Sequence, residues 1–314
     1  MELIRGAYNL RERHKGCVAT IGNFDGIHLG HQAVLGQLAE KADKLKLPTT
    51  VISFDPLPRE YFSHGNTATR LTRTREKVQA LKRYSVDRLL LLHFNEAMAS
   101  LSAEDFVRQI LVNSLGIRHL VIGDDFRFGK GREGDFNFLH EMGERYGFHV
   151  SNMVAFPIGS RRVSSTRIRD ALIRGDLATA EQLLGRPYRL SGRVIHGNKL
   201  GREIGFPTAN MRFGNYNPPL SGIFVVEVFG LDEEPWPGVA SLGVRPTIDK
   251  DNTEYFLEVF LFDFNEDIYG RHLQVDFLHK LRDEERYEGL DALTAQIKID
   301  VENAKQFIAA RNTC

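Results

Sequence analysis

The chain's 314 residues carry 41 lysines and arginines against 41 aspartates and glutamates, and 42% of them are hydrophobic. That length suits two domains of ordinary size, each with its own core, and the balanced charge argues against a dedicated nucleic-acid-binding protein. Two cysteines, Cys17 and Cys314, argue against a disulfide framework or a cysteine zinc site, and the longest apolar run, Leu89–Leu92, is too short to cross a bilayer.

In chain order, residues 1–6 lack the apolar core of a signal peptide, which points to a soluble, cytoplasmic protein. Cys17–Ile21 reads as a short buried strand and Leu29–Lys46 as an amphipathic helix, with Val34, Leu35, Leu38, Leu45 and Leu47 near one face. Between them runs Gly22-Asn23-Phe24-Asp25-Gly26-Ile27-His28-Leu29-Gly30-His31. A glycine-studded turn between strand and helix lets backbone amides approach an anion, and the helix N-terminus adds partial positive charge. His28 and His31, three residues apart, point to the same side. The chemistry suggested is attack at a nucleotide phosphate; a metal half-site or a helix start with incidental histidines explains less of the context.

Further strands at Thr50–Phe54, Leu89–His93, His119–Ile122 and His149–Val154 alternate with helices at Arg75–Tyr84 and Ala103–Leu115, the latter opened by a Ser102/Asp105 capping arrangement. This is the rhythm of a Rossmann-like parallel α/β sheet over residues 1–185, whose ligand loops gather at the carboxyl ends of strands. Phe54-Asp55-Pro56 and Gly123-Asp124-Asp125 fall at such ends. The cluster Arg70, Arg73, Arg75 and Lys77 reads as a solvated helix edge. Ser164-Ser165-Thr166-Arg167-Ile168-Arg169 sets three hydroxyls before a helix, suited to phosphate oxygens, with Arg169 to neutralise departing pyrophosphate. A serine N-cap with solvated arginines is the plain alternative.

Near Gly185-Arg186-Pro187 the rhythm changes. Arg193–Ile195, Ile223–Phe229, Val239–Leu242, Tyr255–Phe262 and Leu273–Phe277 are rich in β-branched and aromatic residues, which predicts an antiparallel barrel or sandwich over residues 186–314. Leu290–Ala310 closes the chain as a helix with Leu290, Leu293, Ile297, Val301, Ala304 and Ile308 on one stripe. Gly192–Asn210 is dense in glycine, which lets backbone close over phosphates, and Lys199 adds charge. Pro207-Thr208-Ala209-Asn210 presents a hydroxyl and an amide oxygen two residues apart, suited to a hard cation or phosphate. Without it, the segment would be a hairpin with Gly and Asn turns.

Taken together, these motifs resemble the bacterial bifunctional riboflavin kinase/FAD synthetase (FMN adenylyltransferase) family, in the right order over nearly the whole chain. In the first half the resemblance rests on Gly22–His31, Ser53–Pro58, Gly123–Gly129 and Ser164–Arg169. It implies a nucleotidyltransferase domain at 1–185 that binds ATP through Gly22, Asn23, Phe24, His28, His31, Ser164, Ser165, Thr166 and Arg169. Phe54, Pro56 and Asp125 would line the flavin side, some members carrying Asn at the last position. Class I aminoacyl-tRNA synthetases share that architecture, but the chain lacks their Lys-rich second signature.

In the second half the resemblance rests on Pro207–Asn210, Gly243–Thr247, Asp267–Gly270 and Leu281–Glu284. It implies a riboflavin kinase barrel at 186–314 in which Lys199, Gly201, Gly205, Thr208 and Asn210 hold ATP, with Mg²⁺ on Thr208 and Asn210. Glu258 would be the catalytic carboxylate and Arg282 would face the flavin, while Phe260, where members often have His, is packing. The implied chemistry is riboflavin plus ATP to FMN and ADP, then FMN plus ATP to FAD and pyrophosphate, at two separate sites. Its partners would be small molecules, without nucleic acid, membrane or an obligate protein.

Overall fold

The computed structural model describes residues 1–63, 69–153, 157–158, 161–197, 200–214, 216–246 and 253–312. Lys199, Cys314 and the final residue of the predicted His149–Val154 strand lie outside them. Contacts divide the chain into two units: Met1–Ala68 with Thr72–Ser165, and Thr69–Leu71 with Thr166–Cys314.

The first unit is built on β1 (Glu2–Arg5), β2 (Val18–Ile21), β3 (Thr49–Asp55), β4 (Arg88–His93), β5 (His119–Gly123) and β6 (His149–Met153). They form one sheet in the order β1-β4-β3-β2-β5-β6, every neighbouring pair parallel. Both faces are covered, so successive residues of the central strands are buried on either side, the polar Thr20, Thr50 and Ser53 included. Ala19, Ile21, Ile52, Leu90 and Leu120 enter one core, while Val18, Val51, Leu89 and Val121 enter the other. β1 carries no sequence signal, because only Ile4 of its four residues is buried. From β2 the chain moves to β3 on one side and later returns to β5 on the other. That reversal opens the crevice where α/β sheets take ligands.

Two helices differ from expectation. Helix Leu29–Leu45 turns Leu35, Leu38 and Ala42 inward, but Leu45 is exposed beside the left-handed Lys46 that ends it. Ser102 caps the next predicted helix through the Asp105 N–H (3.1 Å), yet α-helix runs only over Ala103–Phe106 before widening to a π-helix over Val107–Ser114. The Leu115 N–H to Ile110 carbonyl bond (3.0 Å) spans five residues, as the wider winding requires. A short antiparallel pair, β7 (Pro157–Ile158) and β8 (Arg161–Arg162), completes the unit.

The second unit is a closed antiparallel barrel of β9 (Tyr188–Ile195), β10 (Thr208–Arg212), β11 (Gly222–Phe229), β12 (Trp236–Pro246), β13 (Thr253–Leu261) and β14 (His272–Arg282), ordered β10-β13-β12-β11-β14-β9. Strand alternation sends Met211, Phe224, Val226, Leu242, Leu257 and Val259 into a solvent-free interior. The opposite face of β11–β14 is also partly apolar: Ile223, Val225, Val239 and Leu278 cluster with Phe262 and with Ala304 of the closing helix Leu290–Asn312. That helix therefore covers the outside of the barrel. Its stripe is narrower than predicted, since Leu290 is half exposed and Ala304 is its only fully buried stripe residue.

Candidate functional site

The glycine–histidine turn occupies the carboxyl end of β2, at the switch point. Phe24 (φ 46°), Gly26 (φ 89°) and Ile27 (φ 43°) are all left-handed. For a non-glycine this costs about 1–2 kcal/mol. Phe24 and Ile27 are both inserted into the core, and burying each side chain returns about 1.5–3 kcal/mol, so packing holds the contorted backbone in place. Asp25 is buried beneath it: its carboxylate accepts from the Thr72 N–H (3.1 Å) and from Arg59 (3.1 Å), while the Thr72 hydroxyl accepts from the Gly26 N–H (3.1 Å).

His28 is the N-cap of helix Leu29–Leu45, its Nδ1 accepting from the His31 N–H at 3.3 Å. The two imidazoles stack with centroids 3.7 Å apart, and Phe24 lies 4.9 Å from His31. Gly30 has no room for a side chain without pressing on the His28 ring, 3.2 Å from where its Cβ would be. Burial, followed by the charges of His28, Lys77 and Arg162, pushes the His31 pKa well below the usual histidine range. His31 is therefore neutral at pH 7, and its Nδ1 is buried without a hydrogen-bond partner.

The second predicted phosphate segment meets this turn through Ser165, whose hydroxyl donates to the Asp25 carbonyl (2.9 Å). Ser164 is half-buried just before helix Ser165–Ile173, and on that helix Arg169 donates to the Thr166 hydroxyl (3.2 Å). On the expected flavin side, Phe54 is buried edge-on to Phe94 (5.7 Å) and Pro56 is half-buried. Asp125 is exposed after β5 and ion-paired to Arg162 at 2.6 Å, which also binds Asp124.

In the second unit, a cavity of about 600 Å³ on the outer barrel wall is lined by Gly201, Thr208, Asn210, Glu258 and Arg282, five of the predicted residues. Sheet register explains the convergence. Glu258 of β13 pairs with Asn210 of β10 on one side and Ser241 of β12 on the other, so three polar side chains form one row across three strands. Their neighbours Ala209, Leu257, Val259, Ala240 and Leu242 fill the interior. The wall position of Glu258 is thus half-buried inside a cavity, not a solvent-facing strand position.

Asn210 Nδ2 donates to the Thr208 carbonyl (3.1 Å) and approaches its Oγ1 (3.3 Å), leaving the amide oxygen and hydroxyl as hard oxygen donors. Among the described residues no group of three His, Cys, Asp or Glu has metal-binding geometry. Gly201 cannot carry a Cβ without meeting the Phe206 carbonyl, and Gly205 has φ 86°. Phe260 lines the same cavity, edge-on to Phe206 at 5.2 Å. Arg282 is held by the buried Asp300 in a two-pronged pair (3.0 and 2.7 Å), which in turn raises the guanidinium pKa.

Four residues at these sites escaped sequence reading. Lys77 is 2% exposed, a correction to the solvated helix edge, and it donates to the Asn23 carbonyl (2.7 Å). Its spacing of four from buried Leu81 was the available signal. Asp300 interrupts the apolar stripe between Ile297 and Ala304, a sign that it is buried for a partner. Ser241 follows Val239 at strand period, and its hydroxyl donates to Glu284 (2.9 Å). Glu284 ends the Leu281–Glu284 segment of the resemblance, which assigns it no role.

A glycine–histidine turn at the switch point of a parallel sheet and a polar row on a closed barrel suit a class of two-part, ATP-using transferases. Comparison with known proteins narrows the class: a family model described as FAD synthetase matches residues 10–167, and one described as riboflavin kinase matches 184–308. The bifunctional riboflavin kinase/FMN adenylyltransferases of Pseudomonas fluorescens and Escherichia coli are 48% and 47% identical to this chain, over 98% of each sequence. A Streptococcus pneumoniae crystal structure described as a macrolide-efflux protein matches with a TM-score of 0.82 and 31% identity, covering 96% of this chain and 97% of that one. No helix among the described residues is long and apolar enough to cross a membrane. The chain belongs to the bifunctional riboflavin kinase/FMN adenylyltransferase family.

Proposed function

We infer that this chain makes both flavin cofactors, phosphorylating riboflavin to FMN and adenylylating FMN to FAD, with residues 1–185 carrying the second step and 186–314 the first. The observation that carries the reading is the presence of two polar constellations on different folds, the glycine–histidine turn on the parallel sheet within residues 10–167 and the polar row on the barrel within residues 184–308, the spans that the two family models match. Two sites are needed because attack at the γ-phosphorus and attack at the α-phosphorus place the nucleophile at different ends of ATP.

In the adenylyltransferase half, an FMN phosphate oxygen attacks the ATP α-phosphorus in line and the bond to pyrophosphate breaks. Gly22, Asn23 and Phe24 offer backbone at a helix N-terminus, where anions are favoured. His28 and His31 stabilise charge on the phosphate oxygens, the orphaned Nδ1 of His31 being a buried atom that a ligand would satisfy. Ser164, Ser165 and Thr166 hold further oxygens, and Arg169 balances the departing pyrophosphate. Phe54, Pro56 and Asp125 line the flavin side.

In the kinase half, Glu258 accepts the proton of the ribityl 5′-hydroxyl as that oxygen attacks the γ-phosphorus and ADP leaves. Gly201, Gly205 and Lys199 cradle the ATP phosphates, and Arg282, oriented by Asp300, faces the flavin. Thr208 and Asn210 would hold Mg²⁺, which when bound neutralises charge on the phosphates. We further assign the protein to the cytoplasm, acting on small molecules without an obligate protein partner. Chromatographic separation of flavins after incubation with riboflavin, ATP and Mg²⁺, beside a reaction started from FMN, tests the whole. FMN then FAD from the first, and FAD from the second, are expected; FMN alone would remove the adenylyltransferase assignment.

A further inference from the structure

We propose that Lys77 is a positioning residue for adenylyl transfer, its buried ammonium drawing in the Asn23 carbonyl and so setting the Gly22–His31 turn for an anion. The proposal rests on the reading of that turn as the adenylyltransferase site.

Lysine ordinarily keeps its charged head in water, and burying an ammonium carries a desolvation cost of several kcal/mol. Lys77 is nonetheless 2% exposed, on helix Thr74–Lys82 under the turn. Its Nζ donates to the Asn23 carbonyl at 2.7 Å and to Ser53 Oγ at 3.1 Å, and the Ser53 hydroxyl donates to that same carbonyl at 3.2 Å. Two donors on one carbonyl fix the peptide between Asn23 and the left-handed Phe24. In a trans peptide C=O and N–H point in opposite directions. A carbonyl drawn toward Lys77 therefore turns the Phe24 N–H away from it, out of the core. An apolar side chain at 77 would pack as well but would leave the carbonyl without its charged donor. Because the ammonium is buried against protein oxygens, it acts on the substrate through the turn and its field, not by direct contact.

That field also reaches His31. The charged groups bearing on His31 are His28 from its own cap, Lys77 from the helix beneath and Arg162 from β8, and all three favour the neutral imidazole. Replacing Lys77 by an uncharged residue removes one of them, so His31 takes up a proton at higher pH.

The test is Lys77→Met in the full chain, with FAD formation from FMN and ATP followed across pH and riboflavin phosphorylation measured in the same preparation. The expected result is a roughly 10- to 100-fold fall in adenylyltransferase kcat/KM, with its acidic limb moved to higher pH and the kinase rate unchanged. Wild-type kcat/KM with an unmoved limb overturns the proposal. Should Lys77→Met fail to fold, Ser53→Ala decides, since it keeps the charge and removes one of its acceptors. About a threefold to tenfold loss of adenylylation with an unmoved acidic limb supports the proposal, and full activity overturns it. If the unmodified chain forms no FAD from FMN, it is the adenylyltransferase reading that fails.

Discussion

The turn after β2 and the wall of the barrel, the two proposed sites, are built from different parts of the chain. The turn offers main chain, a strained loop at a helix N-terminus held by its own buried Phe24, Asp25 and Ile27 and by Lys77 of the helix Thr74–Lys82 beneath it. The barrel wall offers side chains, Thr208, Asn210, Ser241 and Glu258, aligned by register on strands of ordinary geometry. The first arrangement depends on a few irreplaceable conformations. The second depends on the identity of individual side chains, with the backbone indifferent to them. Substitutions should therefore act differently in the two places.

The sharpest separation is expected from Glu258→Gln. It keeps size and position in the row but removes the proton acceptor, so FMN formation should fall by about 10²–10⁴-fold. FAD formation from added FMN should be unchanged; a variant that still phosphorylates riboflavin at the wild-type rate would remove the proposed base. Next, His31→Ala should lower FAD formation by about 10²–10³-fold and leave riboflavin phosphorylation intact. Loss of both activities together would break the independence of the two sites.

A smaller effect is expected at the edge of the barrel-wall cavity. Asp300→Ala strands the Arg282 guanidinium, which is 18% exposed and has Asp300 as its two-pronged partner. Removing one member of a buried pair costs about 3–5 kcal/mol, so thermal unfolding of the barrel should move markedly lower and kinase activity should weaken. Asp300→Asn, which keeps hydrogen-bond acceptance, should lose less. Equal stability in all three proteins would show that the pair contributes little.

The same contrast governs what could be read from sequence. Strands β4 and β5 announce themselves through the unbroken apolar runs Leu89–Leu92 and Leu120–Ile122 because both sheet faces are covered, whereas β1, buried at Ile4 alone, gives no pattern. The glycine–histidine turn is legible because all its parts are contiguous. The barrel row is legible only in part: Thr208 and Asn210 share a strand, but Ser241 joins them through register, and register is not written in any single segment. Glu284 enters the cavity from beyond the end of β14, which no periodicity predicts. Lys77 was misplaced for a different reason. Lysine on an amphipathic helix is normally solvated, and acceptors far away in sequence, the Asn23 carbonyl and Ser53 Oγ among them, make burial tolerable.

Acid should separate the two regions as well. His31 and His119, both in the first unit, have pKa values pushed below the ordinary histidine value, in each case first by burial. In that range of pH the unfolded chain binds protons that the folded chain does not, so stability rises with pH. The first unit should therefore lose stability as pH falls below about 6.5, where unfolded histidine begins to protonate. In the second unit, Asp176 has its carboxyl pKa lowered by its cap bonds to Thr179. That contribution is complete above the unfolded carboxylate value of about 3.9 and is lost only below it. The chain's only tryptophan, Trp236, lies in the barrel, so its fluorescence reports that unit, while amide exchange in β2 and β5 reports the other. Protection in β2 and β5 is expected to decline at a pH where Trp236 is still unmoved, and His31→Ala should flatten that decline. Coincident transitions in the wild-type chain would mean that His31 and His119 do not set the acid response of the first unit.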